Sequence, residues 1–403
     1  MEATARPPRP LEGLRVIEVG QLLAGPFAAT ILGYYGAEVI KVEPPDGGDP
    51  IRRWRIVKNE TSLWWYSIAR NKKCVTLDLR ERRGRDILRT LVNQSDVLIE
   101  NFRPGTMEKW ELGPAEFKQS NPGLIYSRVS GYGQTGPYAP RPGFASVCEG
   151  FGGFRYVNGF PGQPSVRPNL SIGDTLAGVH AAFGILLAYI ARGRVTHGAG
   201  QVVDVAIFES IYNLMEGVVP EYDGAGIIRE ASGSTLTGIV PSNIYPTQDG
   251  KTIIIGANTN SMFQRLCELM GEAGMAHDPR YKENNNRVEH QTELDGLIGR
   301  WTGAMTASEV LAKLEAAGVA AGPIYSVADM VADPQYQARG LFEEVMVDGE
   351  TLKIPAIIPR LTDTPGRTDW PGAMLGAHND EVYLGLLGMS AGELAELKAA
   401  GVV

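Results

Sequence analysis

Between Leu14 and Glu43 the chain reads LRVIEVGQLLAGPFAATILGYYGAEVIKVE, and the reading of this stretch decides the fold class. LRVIEV (14–19) has the continuous apolar character of a buried strand. A loop follows it and opens a helix over roughly Pro26 to Tyr35, and AEVIKVE (37–43) forms a second strand. Strands that alternate with helices build a mostly parallel sheet covered on both faces.

The alternation continues beyond Glu43. CVTLDL (74–79) is a third strand, followed by a charged helix over about Glu81 to Asn93, and DVLIE (96–100) and LIYSRV (124–129) extend the series. This first half is therefore a Rossmann-like α/β layer. From Gly131 to Leu170 the composition shifts to Gly, Pro, Tyr and Phe, and Tyr132, Tyr138, Phe144, Phe151, Phe154 and Tyr156 suggest an ordered, packed loop region. Gly173 opens a helix to about Ala191, and QVVDVA (201–206) is a further strand leading into an apolar helix. A Gly/Ser/Thr-rich segment near 224–250 ends in the turn Gln248-Asp249-Gly250. Strand 251–257, a helix from about Ser261 and amphipathic helices near 292–304 and 307–317 make a smaller α/β unit. We expect a large domain over 1–222, a small domain over 223–325, and a segment over 326–403 that returns to the large domain.

The 403 residues allow a large core, and 43% hydrophobic with 21% charged residues is ordinary for a soluble globular chain. A net charge of −8 argues against a nucleic-acid partner, although local basic clusters still permit anionic ligands. Cys74, Cys148 and Cys267 have no metal-like spacing, which fits a reduced, cytoplasmic setting with core thiols. Met1 to Pro10 is not a secretory signal, and the apolar run Leu176–Ile190, which contains His180, is too short to span a bilayer.

Three places could carry chemistry. Asp174, in SIGDTLAG (171–178), lies where a loop meets a long helix. An N-cap explains it, and so does a carboxylate nucleophile able to form an acyl intermediate. The turn GQLLAGP (20–26) stands where a doubly wound sheet holds phosphate, without being GxGxxG or a P-loop. NKKCVTLDLR (71–80) and ENFRPGTMEK (100–109) place basic and amide groups near strand ends. There Lys72, Arg80 and Lys109 could meet phosphates and Phe102 or Trp110 an adenine face. A solvated basic surface is the competing explanation for these residues.

These segments together resemble the class III CoA transferases, the family of formyl-CoA and carnitine CoA transferases. The resemblance runs from LEGLRVIEVGQLLAGP through NKKCVTLDL, SDVLIENFRPGTMEKW, LIYSRVSGYGQTGPY, GDTLAG, GAGQVVDVAIFE, YPTQDGKTIIIGAN and AAGPIYSVADMVADPQ to LGAHNDEVYLGLLG. It implies Asp174 as nucleophile, with coenzyme A contacts at Gln21, Leu22, Leu77, Arg80, Asn101, Phe102, Thr106, Lys109 and Trp110. It also implies an interlocked homodimer, acyl-CoA and carboxylic acid substrates, and no metal or cofactor beyond coenzyme A as substrate. Backbone donors from Gly233, Ser234 and Gly238 would serve the oxyanion.

Departures narrow the substrate. Leu23 stands where formyl-CoA transferases carry Gln, and Phe144-Ala145 replaces their Tyr-Glu pair. Residues 221–243 look more like members that use C4 to C6 dicarboxylates, with succinyl-CoA as donor. A second carboxylate would want an arginine, with Arg52, Arg53, Arg155, Arg167 and Arg229 as candidates. Related 2-methylacyl-CoA racemases carry a His in a Gly-His-Asp segment where this chain has Gly143-Phe144-Ala145. A racemase and a catalytically silent CoA-binding subunit are the alternatives.

Overall fold

The run at 14–19 forms strand β1 (Arg15–Glu18), and the five strands that join it are β2 (Glu38–Glu43), β3 (Lys72–Thr76), β4 (Val97–Glu100), β5 (Ile125–Ser130) and β6 (Val202–Ala206). The computed structural model describes residues 6–403. All pairings are parallel, in the order β3-β2-β1-β4-β5-β6. The order reverses beside β1, so a crevice opens at the carboxyl ends of β1 and β4, the place where open α/β sheets hold ligands.

Both faces of the sheet are covered, as the unbroken apolar runs require. Val16 packs with Ala28, Leu32, Ala181 and Ile185 on one side. Its neighbour Ile17 packs with Leu88, Leu91 and Tyr383 on the other. On the first face, helices Ala24–Tyr34 and Ile172–Arg194 approach closely at Gly178. A Cβ there would stand 2.8 Å from the Ala24 carbonyl oxygen.

Strand β3 lies at the sheet edge, and the end of the chain covers it. The Cys74 N–H donates to His378 Nδ1 at 3.0 Å and the Thr76 N–H to Asn379 Oδ1 at 2.9 Å. Tyr383 Oη donates to the Thr76 carbonyl at 2.7 Å, and just beyond the strand the Asp78 N–H reaches the Val402 carbonyl at 2.8 Å. Side chains thus occupy the free ladder positions of an edge that would otherwise invite another strand.

The chain divides into two units. One comprises Met1–Phe154, Pro168–Glu216 and Gln337–Val403, and the other Arg155–Arg167 and Gly217–Tyr336. The limits of 223 and 325 read from the sequence differ from these, and residues 155–167, expected in the large domain, join the second unit. In that unit, β7 (Ser242–Pro246), β8 (Thr252–Gly256) and β9 (Ala321–Pro323) form an antiparallel sheet ordered β9-β8-β7. Helices Asn260–Leu269, Gln291–Gly303 and Ala307–Ala316 bury Phe263, Leu266, Leu294, Ile298, Val310 and Leu314 with Tyr245, Ile253 and Ile255.

Two expectations need correction. The helix over Ile172–Arg194 has 23 residues and, by length and composition, is long and apolar enough to cross a membrane, with 33% of its most apolar window buried. The helix outruns the apolar stretch Leu176–Ile190 because flanking Gly, Ala and polar residues also take helical conformation. Within the aromatic loop region, Tyr132, Tyr138 and Phe151 do pack together and with Phe208. Phe144 and Tyr156, however, are exposed, and a helix forms over Ala145–Phe151.

Candidate active site

Asp174 is the third residue of helix Ile172–Arg194; Ser171 occupies the cap position and makes no side-chain cap bond. The capping explanation therefore fails, because the helix begins two residues before the aspartate. Asp174 instead lies half-buried inside the first turn, where backbone N–H groups without intrahelical partners and the helix dipole favour negative charge. Gly173 lets this turn settle between two other helices. A Cβ on it would meet Ile207 Cγ2 at 3.1 Å and Ala145 Cβ at 3.3 Å. Glu149, fully buried on helix Ala145–Phe151, accepts from the Gly173 N–H at 3.4 Å. Burial, reinforced by the charges of Asp174 and Glu149, pushes the neighbouring Cys148 thiol up to about 11. Cys148 thus stays protonated and donates to the Gly131 carbonyl at 3.3 Å.

A cleft of about 260 Å³ lies at the carboxyl ends of β1, β2 and β3. Gln21, Leu77, Arg80, Phe102 and Trp110, all singled out from the sequence, line it together with Glu43, Asp46 and Asp78. Phe102 and Trp110 meet edge to face, with centroids 5.3 Å apart. Glu100 seats Phe102 by accepting its N–H at 2.7 Å, and it also binds Arg128 Nε at 2.7 Å. Burial pushes the Glu100 carboxyl up to about 7 against the pull of Arg128. Arg80 Nη2 reaches Asp78 at 2.6 Å but is largely exposed, so a ligand phosphate could compete for it.

The other expected contacts do not line the cleft. Asn101 is engaged with the turn after β1: its Oδ1 accepts from the Gln21 N–H at 2.8 Å, and its Nδ2 donates to the Gln21 carbonyl at 2.7 Å. Leu22 takes the left-handed conformation, φ 65°. Thr106 and Lys109 belong to a short helical turn that ends before Trp110, with Lys109 exposed.

Lys72 is a correction. Its ammonium is fully buried and bound to Glu18 Oε2 and the Pro26 carbonyl, each at 2.7 Å, so it holds the sheet to the first helix and has no open face for a phosphate. A lysine is rarely internal, and Lys72 is so because Glu18 pairs with it inside a sheet covered on both faces.

Lys72 belongs to a buried cluster that the sequence reading missed. Lys41 joins Glu18 at 2.7 Å, Asp49 at 2.8 Å and the Gly20 carbonyl at 3.1 Å. Glu43 takes Arg52 Nε at 2.7 Å and Nη2 at 2.8 Å, while the Arg52 guanidinium lies 3.7 Å from the Trp65 ring centroid. Three acids thus face three bases beneath the cleft. Arg52, spent in this way, leaves the set of candidates for a second substrate carboxylate. Arg229 is paired with Glu221. Arg155 has its Nε buried, and Arg53 and Arg167 are exposed.

In the second unit, Gly233 and Gly238 have φ of 71° and 81°. The Gly233 N–H, expected to face an oxyanion, donates to the Gly159 carbonyl at 2.8 Å. Ser234 Oγ donates to Asn243 Oδ1 at 2.6 Å, and the Gly238 carbonyl accepts from Asn284 Nδ2 at 2.8 Å.

Comparison with known proteins places the chain among relatives. Residues 11–379 match the model of CoA-transferase family III. A succinyl-CoA–D-citramalate CoA-transferase of Chloroflexus aurantiacus is 47% identical over 403 residues, covering 100% of both chains. The alpha subunit of a succinyl-CoA–L-malate CoA-transferase from Chloroflexus aurantiacus is 42% identical, over 98% of this chain and 92% of its own. Among solved structures, a CAIB/BAIF family protein from Brucella suis matches with a TM-score of 0.82 and 32% identity, over 94% of this chain and 100% of that one.

Proposed function

The chain belongs to CoA-transferase family III, and from that premise we propose that it moves coenzyme A from succinyl-CoA to a C4 to C6 dicarboxylic acid of the citramalate type. The observation that carries this reading is the 47% identity, over the full length of both chains, to a succinyl-CoA–D-citramalate CoA-transferase.

In the mechanism we propose, an Asp174 carboxylate oxygen attacks the thioester carbonyl carbon of the donor. The C–S bond breaks, leaving a mixed anhydride and the coenzyme thiolate. The thiolate attacks the Asp174 carbonyl carbon, and the anhydride C–O bond breaks to release the donor acid. Asp174 is now a thioester of coenzyme A. The acceptor carboxylate repeats the two steps in reverse and regenerates the aspartate, with no net proton transfer. Each attack develops an oxyanion, and donors that meet it lower the barrier. The first-turn setting of Asp174 supports the assignment, since it favours the ionised form needed to attack.

The coenzyme's adenine would lie against Phe102 and Trp110 in the cleft, with Arg80 and Lys109 at its phosphates. We also assign an interlocked homodimer. Val179, Phe183, Leu187 and Ile190 are 42%, 58%, 51% and 51% exposed along one face of helix Ile172–Arg194, and a second copy would cover this apolar stripe. A cytoplasmic location agrees with three buried free thiols.

Mass spectrometry of the enzyme after succinyl-CoA, trapped with hydroxylamine or borohydride, tests the mechanism. A coenzyme thioester or its derivative on the Asp174 peptide is expected, and Asp174→Ala should lose both the adduct and CoA exchange. An unmodified Asp174 together with deuterium exchange at an acyl α-carbon would overturn the transferase reading.

A further inference from the structure

The turn after β1 carries more restraint than a connecting loop needs. Leu22 holds φ 65°, a region that residues with a Cβ rarely adopt. Its N–H donates to both oxygens of Asp49, at 3.0 and 3.2 Å. Neighbouring groups are pinned as well: the Gly20 carbonyl by Lys41, and both the N–H and carbonyl of Gln21 by Asn101. Gln21 then lines the cleft.

Asp49 is fully buried and stands at the centre of this arrangement. Its carboxylate pairs with Lys41 Nζ at 2.8 Å, its own N–H is held by Glu43 Oε2 at 2.9 Å, and its Oδ1 also accepts from the Ile51 N–H at 3.0 Å. A carboxylate with so many fixed donors cannot swing away. The strained Leu22 peptide therefore has one stable place for its N–H.

We propose that Asp49 is the positioning residue of the coenzyme-binding turn: anchored by Lys41 and the Glu43 carboxylate, it locks the Leu22 peptide in the left-handed conformation that presents Gln21 to the cleft. The proposal rests on the coenzyme reading of the cleft. Asp49 touches no substrate in this scheme and acts only through the backbone it holds. A left-handed Leu anchored in this way relaxes once the anchor weakens, whereas glycine adopts the same φ without help.

The test is calorimetric titration of the full-length enzyme with free coenzyme A, run beside thermal melting and steady-state kinetics. Asp49→Asn should weaken coenzyme affinity about tenfold, on the scale of the strain at one left-handed residue. KM for succinyl-CoA should rise with it, while kcat per folded enzyme changes little. Adding Leu22→Gly to Asp49→Asn should recover at least about threefold of the loss, because glycine needs no anchor. If Asp49→Asn does not fold, Asp49→Glu gives the same reading, since it keeps a charge beside Lys41 and shifts the acceptor by one methylene. Wild-type affinity in a folded Asp49 variant, or an effect of Leu22→Gly that is merely additive, would overturn the proposal. Natural enzyme that binds no coenzyme A would instead remove the coenzyme reading on which it stands.

Discussion

Replacing Lys72 by Met separates a structural lysine from a ligand-binding one. The change keeps the length of the side chain and removes the ammonium that joins Glu18 Oε2 and the Pro26 carbonyl, each at 2.7 Å, inside a fully buried site. Burial and the nearby Lys41 charge already hold the Lys72 pKa below the ordinary lysine range, against the opposing pull of Glu18. Removing one member of a buried pair costs about 3–5 kcal/mol. Here Glu18 keeps Lys41 at 2.7 Å on its other oxygen, so the low end applies, about 3 kcal/mol. For a unit of this size that corresponds to a fall of roughly 5 °C in melting temperature. Differential scanning calorimetry and succinyl-CoA kinetics on the same preparation read both quantities. The expected result is the lower melting temperature with KM within about twofold of the natural enzyme. An unchanged melting temperature with KM raised tenfold or more would refute the argument, because it would mean that the ammonium reaches a phosphate.

Other consequences are as direct. Burial lowers the His378 pKa from its ordinary 6.5; the unfolded chain therefore takes up the proton first as pH falls. The contribution from His378 is present above about pH 6.5 and is lost below it, so urea unfolding between pH 7.5 and 5 should show falling stability. In His378→Gln that slope should flatten. Phe102→Ala, which removes one ring of the aromatic pair in the cleft, should raise KM for succinyl-CoA about tenfold with a small change in kcat, read by steady-state kinetics. If the proposed dimer forms through the apolar stripe, Phe183→Glu, at a position 58% exposed there, should give monomer in sedimentation velocity where the natural enzyme gives dimer. A Phe183→Glu variant that remains a dimer would show that this face is not the interface.

The large sheet was legible because strands buried on both faces have to be apolar almost throughout, as at Val16, Ile17, Val97, Leu98 and Ile99. Helices 292–304 and 307–317 were legible for the opposite reason, a one-sided apolar pattern, and appear as Gln291–Gly303 and Ala307–Ala316. Burial of charge was not legible. Lys72 and Lys73 are adjacent and identical in type, yet only Lys72 points into the core, while Lys73 bridges Glu38 and Glu381 nearer the surface. Asp49 carried only the mark of a cap, standing before Pro50 and accepting from the Ile51 N–H, whereas its partners Leu22 and Lys41, and Gly173 beside Glu149, come from distant segments. The hairpin Phe342–Val347 and Glu350–Pro355 was missed although its signal was present. Asp348-Gly349 take φ of 50° and 80°, and an Asp-Gly pair is a strong hairpin mark.

The covering of β3 by the last part of the chain has a consequence for synthesis. A ribosome delivers the polypeptide from its N-terminus, so all six strands of the large sheet emerge before His378 and Asn379 do. Until then the Cys74 and Thr76 amides face solvent on an uncovered edge strand, open to any extended segment nearby. Residues Gly217–Tyr336, which with Arg155–Arg167 make the second unit, are translated during that interval. The first sheet to appear is thus the last to be sealed, and its vulnerable period is set by the time needed to translate the rest of the chain.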